Sequence, residues 1–548
     1  MSKQYTFSVS GHSYRRKFSY TENGVYNELI VPGGASFIQQ ILNRRNLTEY
    51  KQLNEKFRCE YFDLQQFKNE KSKNNYYSII RHVGVIPGCT VTEPETKPEI
   101  KTPYTIVWDE GFGGLSSINT PVFWVSDKAL PDKLLLKDIA NHCFLMLDAD
   151  VLRANGAMIS RQVSWERTAT DLIWQLENNT TFSYLRTVPH TLITFAGDGA
   201  VYIKRDGENL TASLVLTHGG SENRLKEGIK GEIGDTFAVM AATVALQFPD
   251  IIREIKPLKI LPVLKAAEKL MTDGYSIEQL RNSEFYIPDF KDDELHKTQE
   301  VSFAIPIGQG TSDPDFWCIS NNASSKRIFD IALEYVQKGN QVINSFPKLS
   351  FGALTTIDRQ EIESYQNVRN LIFDYAGSES VRPLSIAVFG APGSGKSFGV
   401  TQIAKNILPG KVEKLEFNVS QFTDNIDLSN AFHKVRDVIL EGKLPLVFFD
   451  EFDSDRNGVL LGWLKNFLMP MQDGKFKDES GEHPIGKCIL VFAGGTSASF
   501  EDFTGPILSE CEDKQRKFKD VKGPDFISRL RGTINVLGPN QTNLNDKN

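Results

Sequence analysis

Two periodicities of apolar residues alternate along the first 250 positions. TLITFAG, AVYIK and ASLVLTH are short β-rich runs, while TATDLIWQLEN and DTFAVMAATVALQF carry apolar residues at helical spacing. Strands alternating with helices predict an α/β unit with a mainly parallel sheet over residues 1–250. Helical patterns then dominate from 251 to 377: LPVLKAAEKLM, SSKRIFDIALEYVQKG and DRQEIESYQNVRNLIFDYAG. They surround the charged, turn-rich IPDFKDDELHKTQE, which reads as loop or linker, and the stretch is expected to be a helical connector. From 378 to 548 strands and helices alternate again, down to a polar tail, LGPNQTNLNDKN, with little to pack. No internal repeat stands out, and the fold class expected for both ends is α/β.

Composition narrows the partners. The chain has 548 residues, 40% hydrophobic and 24% charged, with 62 Lys+Arg against 69 Asp+Glu and a net charge of −7. That balance argues against a dedicated nucleic-acid wrapper or a polybasic membrane binder. The Lys/Asn-rich run QQFKNEKSKNNYYS is read as a solvated loop or helix face rather than a basic strip for nucleic acid. Six cysteines lie far apart with no C-x-x-C pair, which fits reduced thiols better than a disulfide framework or a zinc site. The start, MSKQYTFSVSGHSYRRKF, has no apolar h-region, and no segment approaches the ~18 apolar residues of a membrane span. A cytoplasmic protein is therefore expected.

The strongest chemical signal is SIAVFGAPGSGKSFGVTQIAKNIL. An apolar strand, Ser385 to Phe389, runs into Gly390, Ala391, Pro392, Gly393, Ser394, Gly395, Lys396 and Ser397, and a helix follows; these eight residues and Phe398 are expected to bind the cofactor. This is G-x-x-x-x-G-K-S between strand and helix, the context that the motif requires. Glycines let successive amides turn inward around phosphate oxygens, and the helix N-terminus adds its positive end. Lys396 is placed to reach the β- and γ-phosphates of ATP, and the Ser397 hydroxyl to ligate Mg²⁺. A second element fits the first. The apolar run from Leu444 to Phe449 ends in Asp450-Glu451-Phe452-Asp453, and a carboxylate at the end of a parallel strand lies where open α/β sheets bind ligands. Asp450 is expected as an outer-sphere Mg²⁺ partner, and Glu451 as the group that orients and polarises the attacking water. Asp453 is read as a cap on the following helix.

These residues resemble an AAA+ ATPase module covering roughly the last third of the chain. The resemblance implies a parallel sheet flanked by helices, ATP and Mg²⁺ as ligands, ATP hydrolysis, and a homo-oligomer with a hexameric ring among its forms. KCILVFAGGTS resembles the strand ending in the family's polar sensor residue, with Thr496 the better match and Ser497 its rival. GPDFISRL resembles the family's P-E-F-x-x-R segment, whose arginine reaches a neighbouring subunit's ATP; Arg529 matches by position and Arg531 is second. A guanidinium suits that role through its fixed charge and planar fork. LLGWLKNFLMPMQDGKFKDESGEHPIGK resembles the helix-and-hairpin insertion of the same clade, and Phe422 is read as a core residue ahead of a pore-loop aromatic. The family's helical lid has no counterpart after Val536. Either it is absent, or the helices before Pro383 partly take its place.

The first 250 residues resemble a ribokinase-type sugar kinase. Pro32-Gly33-Gly34-Ala35 before a helix is similar to that family's substrate-side glycine pair. LMLDADVLR followed by DLIWQLEN fits its strand–helix order, and ITFAGDGAVYIK its strand pair near the nucleotide. Gly231-Glu232-Ile233-Gly234-Asp235 lines up with the family's anion-hole turn, whose aspartate acts as base. Glu232 and Ile233 stand where small neutral residues line that turn, and a carboxylate there repels phosphate. The expectation is a ribokinase-like regulatory domain, with a small-molecule ligand still open to it. The whole is expected to be an ATP-hydrolysing protein that acts on a protein partner or client. A nucleotide-gated assembly switch and a bifunctional kinase are the alternatives.

Overall fold

In the computed structural model, residues 7–11, 13–22, 25–35, 37–38, 42, 57–68, 75–82, 104–108, 120–207, 209–217, 236–273, 300–306, 316–319, 328–343, 346–391, 393–509 and 511–536 are described. The protein is mixed α/β, with parallel sheets covered by helices. The chain divides into two units: Met1–Arg161 with Trp165–Ile328, and Phe329–Asn548 with Gln162–Ser164. The stretch expected as a connector is thus shared out, 251–328 to the first unit and 329–377 to the second. Two of its helices are more than a spacer: Leu261–Asp273 adds its apolar face to one core and Arg359–Gly377 to another.

The first unit holds an eight-stranded sheet. Its strands are β1 (Phe7–Gly11), β6 (Tyr104–Trp108), β7 (Val122–Ser126), β8 (Cys143–Asp148), β9 (His190–Phe195), β10 (Gly199–Asp206), β11 (Asn209–Leu216) and β12 (Ser302–Ala304), in that spatial order. From β1 to β9 every pairing is parallel, and β10 to β12 continue antiparallel. The switch of direction has a local cause. Only Ala196, Gly197 and Asp198 separate β9 from β10, too few for a crossover, and Ala196 (φ 51°) and Gly197 (φ 98°) take the positive φ of a tight reversal. A second sheet of β2 (Ser13–Glu22), β3 (Val25–Gly34), β4 (Phe57–Lys68) and β5 (Asn75–His82) runs in the order β3-β2-β4-β5. It overturns one expectation. QQFK and NYYS belong to β4 and β5, paired from Gln65↔Ser78 to Lys68↔Asn75, so much of that Lys/Asn-rich run is strand rather than loop or helix.

Alternation sorts the apolar runs of the large sheet onto two faces. Ile106, Phe123, Phe144 and Leu192 join the core under helices Thr236–Ile252 and Leu261–Asp273; Val107, Trp124, Leu145 and Ile193 join the core under Trp165–Asn178. Burial on both faces is why these strands read as continuous hydrophobic runs.

The second unit repeats the scheme. β15 (Leu384–Phe389), β16 (Val412–Asn418), β17 (Leu444–Asp450), β20 (Ile489–Ala493) and β21 (Gly532–Asn535) form a wholly parallel sheet in the order β16-β17-β20-β15-β21. Small hairpins are made by β13 (Leu349–Phe351) with β14 (Leu354–Thr356), and by β18 (Lys475–Asp478) with β19 (Gly481–Pro484). Phe389, Phe449 and Phe492 pack on one face with helices Asn425–Leu440 and Leu464–Asp473. Val388, Phe448 and Val491 pack on the other with helices Arg359–Gly377 and Lys396–Ile407. Phe422 sits against Trp463 at 5.7 Å in the first of these cores, as its core reading expected. Residues 537–548, the polar tail, lie outside the described residues, as do 287–299 of the linker-like passage.

Candidate active site

β15 delivers the chain, fully buried at Phe389, into a loop that turns on three glycines: Gly390 (φ 152°), Gly393 (φ 78°) and Gly395 (φ 88°). At Gly390 glycine is also required by space, since a Cβ there would lie 2.7 Å from the Val536 carbonyl oxygen and 2.8 Å from Ser394 Oγ. Gly395 caps helix Lys396–Ile407 without any side-chain acceptor, leaving the positive helix end to the loop's interior. Lys396 Nζ donates back to the carbonyls of Gly390 (2.9 Å) and Ala391 (3.2 Å), so the ammonium lies across the loop's mouth. Ser394 Oγ is buried there with no hydrogen-bond partner, a polar atom in want of one. Pro392 lies outside the described residues, and Phe398 exposes about half its ring (45%) on the helix's first turn.

Two neighbouring strands bring the acids. β17 ends at Asp450, in register with Ala493 at the end of β20, and β20 in turn pairs with β15. The phosphate loop, the acids and the 494–497 turn therefore share one edge of the sheet, at the carboxyl ends of three adjacent strands. Burial raises the Asp450 pKa and the Glu416 carboxylate adds to this, while the Lys396 ammonium pulls it down, so Asp450 and Lys396 sense one another. Glu451 is exposed and held at φ 53°, a conformation costly for a non-glycine residue and typical of functional turns. Its side chain lies over the next strand's turn: a Cβ on Gly495 would sit 3.0 Å from Glu451 Cγ.

Asp453 corrects the sequence reading. The following helix, Leu464–Asp473, is preceded by Trp463 and owes nothing to Asp453. Instead the buried carboxylate takes three backbone amides, from Gly495 (2.8 Å), Thr496 (2.9 Å) and Ser497 (3.2 Å). Asp453 thereby fixes the turn opposite Glu451. The Thr496 hydroxyl makes only a 3.5 Å contact with the Asp453 carbonyl oxygen. Nothing in the sequence beyond its nearness to Glu451 marks Asp453 for this role, because its partners come from another strand.

Arg529 stands elsewhere. It follows the short helix Gly523–Ile527, and Arg531 N donates to the Ser385 carbonyl at the amino end of β15. The phosphate loop leaves the opposite end of that strand, about 17 Å away at ~3.3 Å per residue. The Arg529 guanidinium is held by Gln472 Oε1 and the Asp525 carbonyl oxygen, and its side chain stays partly exposed.

In the first unit the strand–helix order read from LMLDADVLR and DLIWQLEN is present, as β8 with helix Ala149–Ala154 and as helix Trp165–Asn178. Gly34, at φ 62°, ends β3 ahead of the helical, buried Ala35, Phe37 and Ile38. Residues 231–235, with Asp235, lie outside the described residues; helix Thr236–Ile252 begins directly after them. Sequence reasoning passed over Asp148, at the carboxyl end of β8. It caps its helix through Asp150 N (3.0 Å) and accepts from Thr194 Oγ1 (3.1 Å) and Ala196 N (3.4 Å). Desolvation nonetheless raises its pKa to about 6.

Hard oxygen donors from the Ser397 hydroxyl and the Asp450 carboxylate, beside the partnerless Ser394 Oγ, make a donor set suited to Mg²⁺ with a phosphate ester. No family model matches this chain, and no curated protein matches it. Among solved structures, the chain is similar to the ORC2 protein of Aeropyrum pernix (ADPNP–ADP complexes), at 12% identity and TM-score 0.21, over 32% of this chain and 46% of that one. It is also similar to a fructokinase with bound ATP from Xylella fastidiosa, at 9% identity and TM-score 0.25, over 51% of this chain and 98% of that one. This chain thus spans less than half the length of the first.

Proposed function

We propose that the second unit binds Mg·ATP and hydrolyses it, and that the nucleotide cycle drives assembly and a conformational change acting on a partner. The observation that supports this best is Asp453's three-amide clamp. It joins the acid-bearing turn to the 494–497 turn beside a lysine-closed phosphate loop. Lys396 and the loop amides hold the β- and γ-phosphates, and Ser397 with Asp450 would hold the Mg²⁺, which supplies charge neutralisation when bound. Glu451 accepts the proton of a water whose oxygen attacks the γ-phosphorus. The bond from that phosphorus to the bridging oxygen breaks, and ADP leaves with that oxygen. Thr496 stands next to this water as a hydrogen-bonding partner. Arg529, whose neighbour Arg531 bonds to the amino end of β15, is proposed to reach the γ-phosphate of a neighbouring copy in a homo-oligomer.

Phosphate release under steady-state ATP, together with calorimetric ATP binding, tests the reading. Glu451→Gln should keep ATP affinity and lose ~10²–10⁴ of turnover, whereas Lys396→Ala should weaken binding itself. Wild-type turnover in Glu451→Gln would remove Glu451 from the mechanism. ATP binding with no turnover in the wild type would instead favour a nucleotide-gated assembly switch.

A further inference from the structure

Away from the phosphate loop, the β18–β19 hairpin and helix Asn425–Leu440 bring two imidazoles to one carboxylate. His433 Nε2, from the middle of the helix, lies 2.9 Å from Asp478 Oδ2. His483 Nε2, from β19, lies 2.9 Å from Asp478 Oδ1. One ligand atom from each of the three residues falls within 4.8 Å of the other two. Asp478 is held in position by the hairpin turn: Oδ1 accepts from Ser480 N (2.8 Å), Ser480 Oγ (2.6 Å) and Gly481 N (3.1 Å), Oδ2 faces His433, and Ser480 Oγ also lies 2.9 Å from His483 Nε2. The buried Phe476 ring backs both imidazoles, with centroids at 4.9 Å from His433 and 5.3 Å from His483. The nearby ammonium groups are already paired, Lys477 with Glu482 at 3.0 Å and Lys475 with Glu482 at 3.7 Å. All three ligand residues keep part of their side chains exposed, which leaves an entry path.

We propose that His433, Asp478 and His483 form a binding site for a divalent cation of the zinc class, clamping the hairpin to the helix. Two imidazole nitrogens and one carboxylate oxygen are a borderline donor set, suited to Zn²⁺ and unsuited to Mg²⁺ or Ca²⁺. Tetrahedral bonds of ~2.0–2.1 Å set ligand atoms ~3.4 Å apart, inside the 4.8 Å that already holds one ligand atom of each residue, with water filling the fourth position. To ligate the metal through Nε2, each imidazole must be the neutral tautomer that carries its proton on Nδ1. The carboxylate–serine contact through Ser480 then serves to orient the ligating group.

The test is equilibrium dialysis of the metal-stripped full chain against Zn²⁺ in excess Mg²⁺, with a parallel Co²⁺ titration read by visible absorption. One equivalent should bind to the wild type and give tetrahedral Co²⁺ bands. His483→Gln on the exposed hairpin and His433→Gln should each weaken Zn²⁺ by more than the ~10–100-fold of an outer-shell loss, and Zn²⁺ should raise the wild-type Tm but not theirs. Circular dichroism establishes that the variants are folded; should His433→Gln unfold, His483→Gln alone decides. Equal Zn²⁺ binding in wild type and His483→Gln would overturn the site, as would no bound equivalent in the wild type. Because the readouts are metal binding and Tm, a failure here is separable from a failure of ATP hydrolysis.

Discussion

Asp453 is buried and bonded to three amides of another strand, so its loss is felt in both stability and turnover. In Asp453→Asn one carboxylate oxygen becomes an amide that can only donate, facing amides that also donate. One or two of these part-buried N–H groups then lose their acceptor, at about 1 kcal/mol. Turnover should fall more than ATP affinity, because the phosphate loop is untouched while the turn opposite Glu451 is released. Thermal unfolding and calorimetry together check this; unchanged turnover would make the clamp a matter of folding only. Asp148 gives a second residue-scale prediction. Its pKa rises from 3.8 to about 6 on folding, so the folded unit keeps a proton that the unfolded chain has released. The stabilisation is complete below the unfolded value and is lost as pH rises through 6. Two units correspond to at most about 3 kcal/mol, and less for a half-buried group. Asp148→Asn should flatten the dependence of Tm on pH between about 4 and 7, and an unaltered slope would assign it to other groups.

At the scale of elements, the short helix Gly523–Ile527, which Arg529 follows, depends on having no side chain at its first residue. A Cβ on Gly523 would be driven into the ring of Phe518, itself buried and packed edge-on against Phe503 at 5.7 Å. Gly523→Ala should therefore cost about 1–3 kcal/mol by overpacking, measurable as a fall in the denaturation midpoint. If the proposed role of Arg529 is right, assembly-dependent turnover should drop with it. The helix Lys396–Ile407 shows a related constraint: a Cβ on Gly399 would lie 3.0 Å from the ring of Tyr365, so the phosphate-loop helix is seated on helix Arg359–Gly377. That contact explains why a stretch expected as connector packs into the core of the second unit.

For the whole molecule, the decisive question is whether a site is complete in one chain. Arg531, two residues after Arg529, bonds to the amino end of β15 while the glycine loop leaves its carboxyl end, so the proposed role of Arg529 calls for a second copy. Wild-type specific activity should then rise with protein concentration, as mass action fills the sites. Arg529→Ala should lower turnover far more than ATP affinity. Mixing Arg529→Ala with Lys396→Ala chains should restore activity wherever an intact loop meets an intact arginine. Concentration-independent turnover with no rescue would leave Arg529 as the partner of Gln472 and Asp525 and nothing more.

The motifs that could be read from the chain are those whose chemistry is local. Gly390 to Ser397 must be glycine-rich and end in Lys-Ser because amides, ammonium and hydroxyl all act within eight consecutive residues. The apolar runs ending at Phe389 and Asp450 declare themselves as buried strands because both faces of a parallel sheet are covered. The second sheet of the first unit left no such trace, since strands 57–68 and 75–82 mix apolar and polar residues without strict alternation and flank a Lys/Asn-rich stretch. Asp453's role was equally hidden, because a carboxylate that binds amides 42 to 44 positions away looks in sequence like any acid before a turn. The His433–Asp478–His483 cluster needs helix and hairpin to meet, and the place of Arg531 at the amino end of β15 follows only from β21 pairing beside that strand. Sequence determined which groups are present and where strands and helices form. The pairing of strands and the packing of helices decided which of those groups meet, because contacts between distant residues are set by the fold's topology and not by their spacing along the chain.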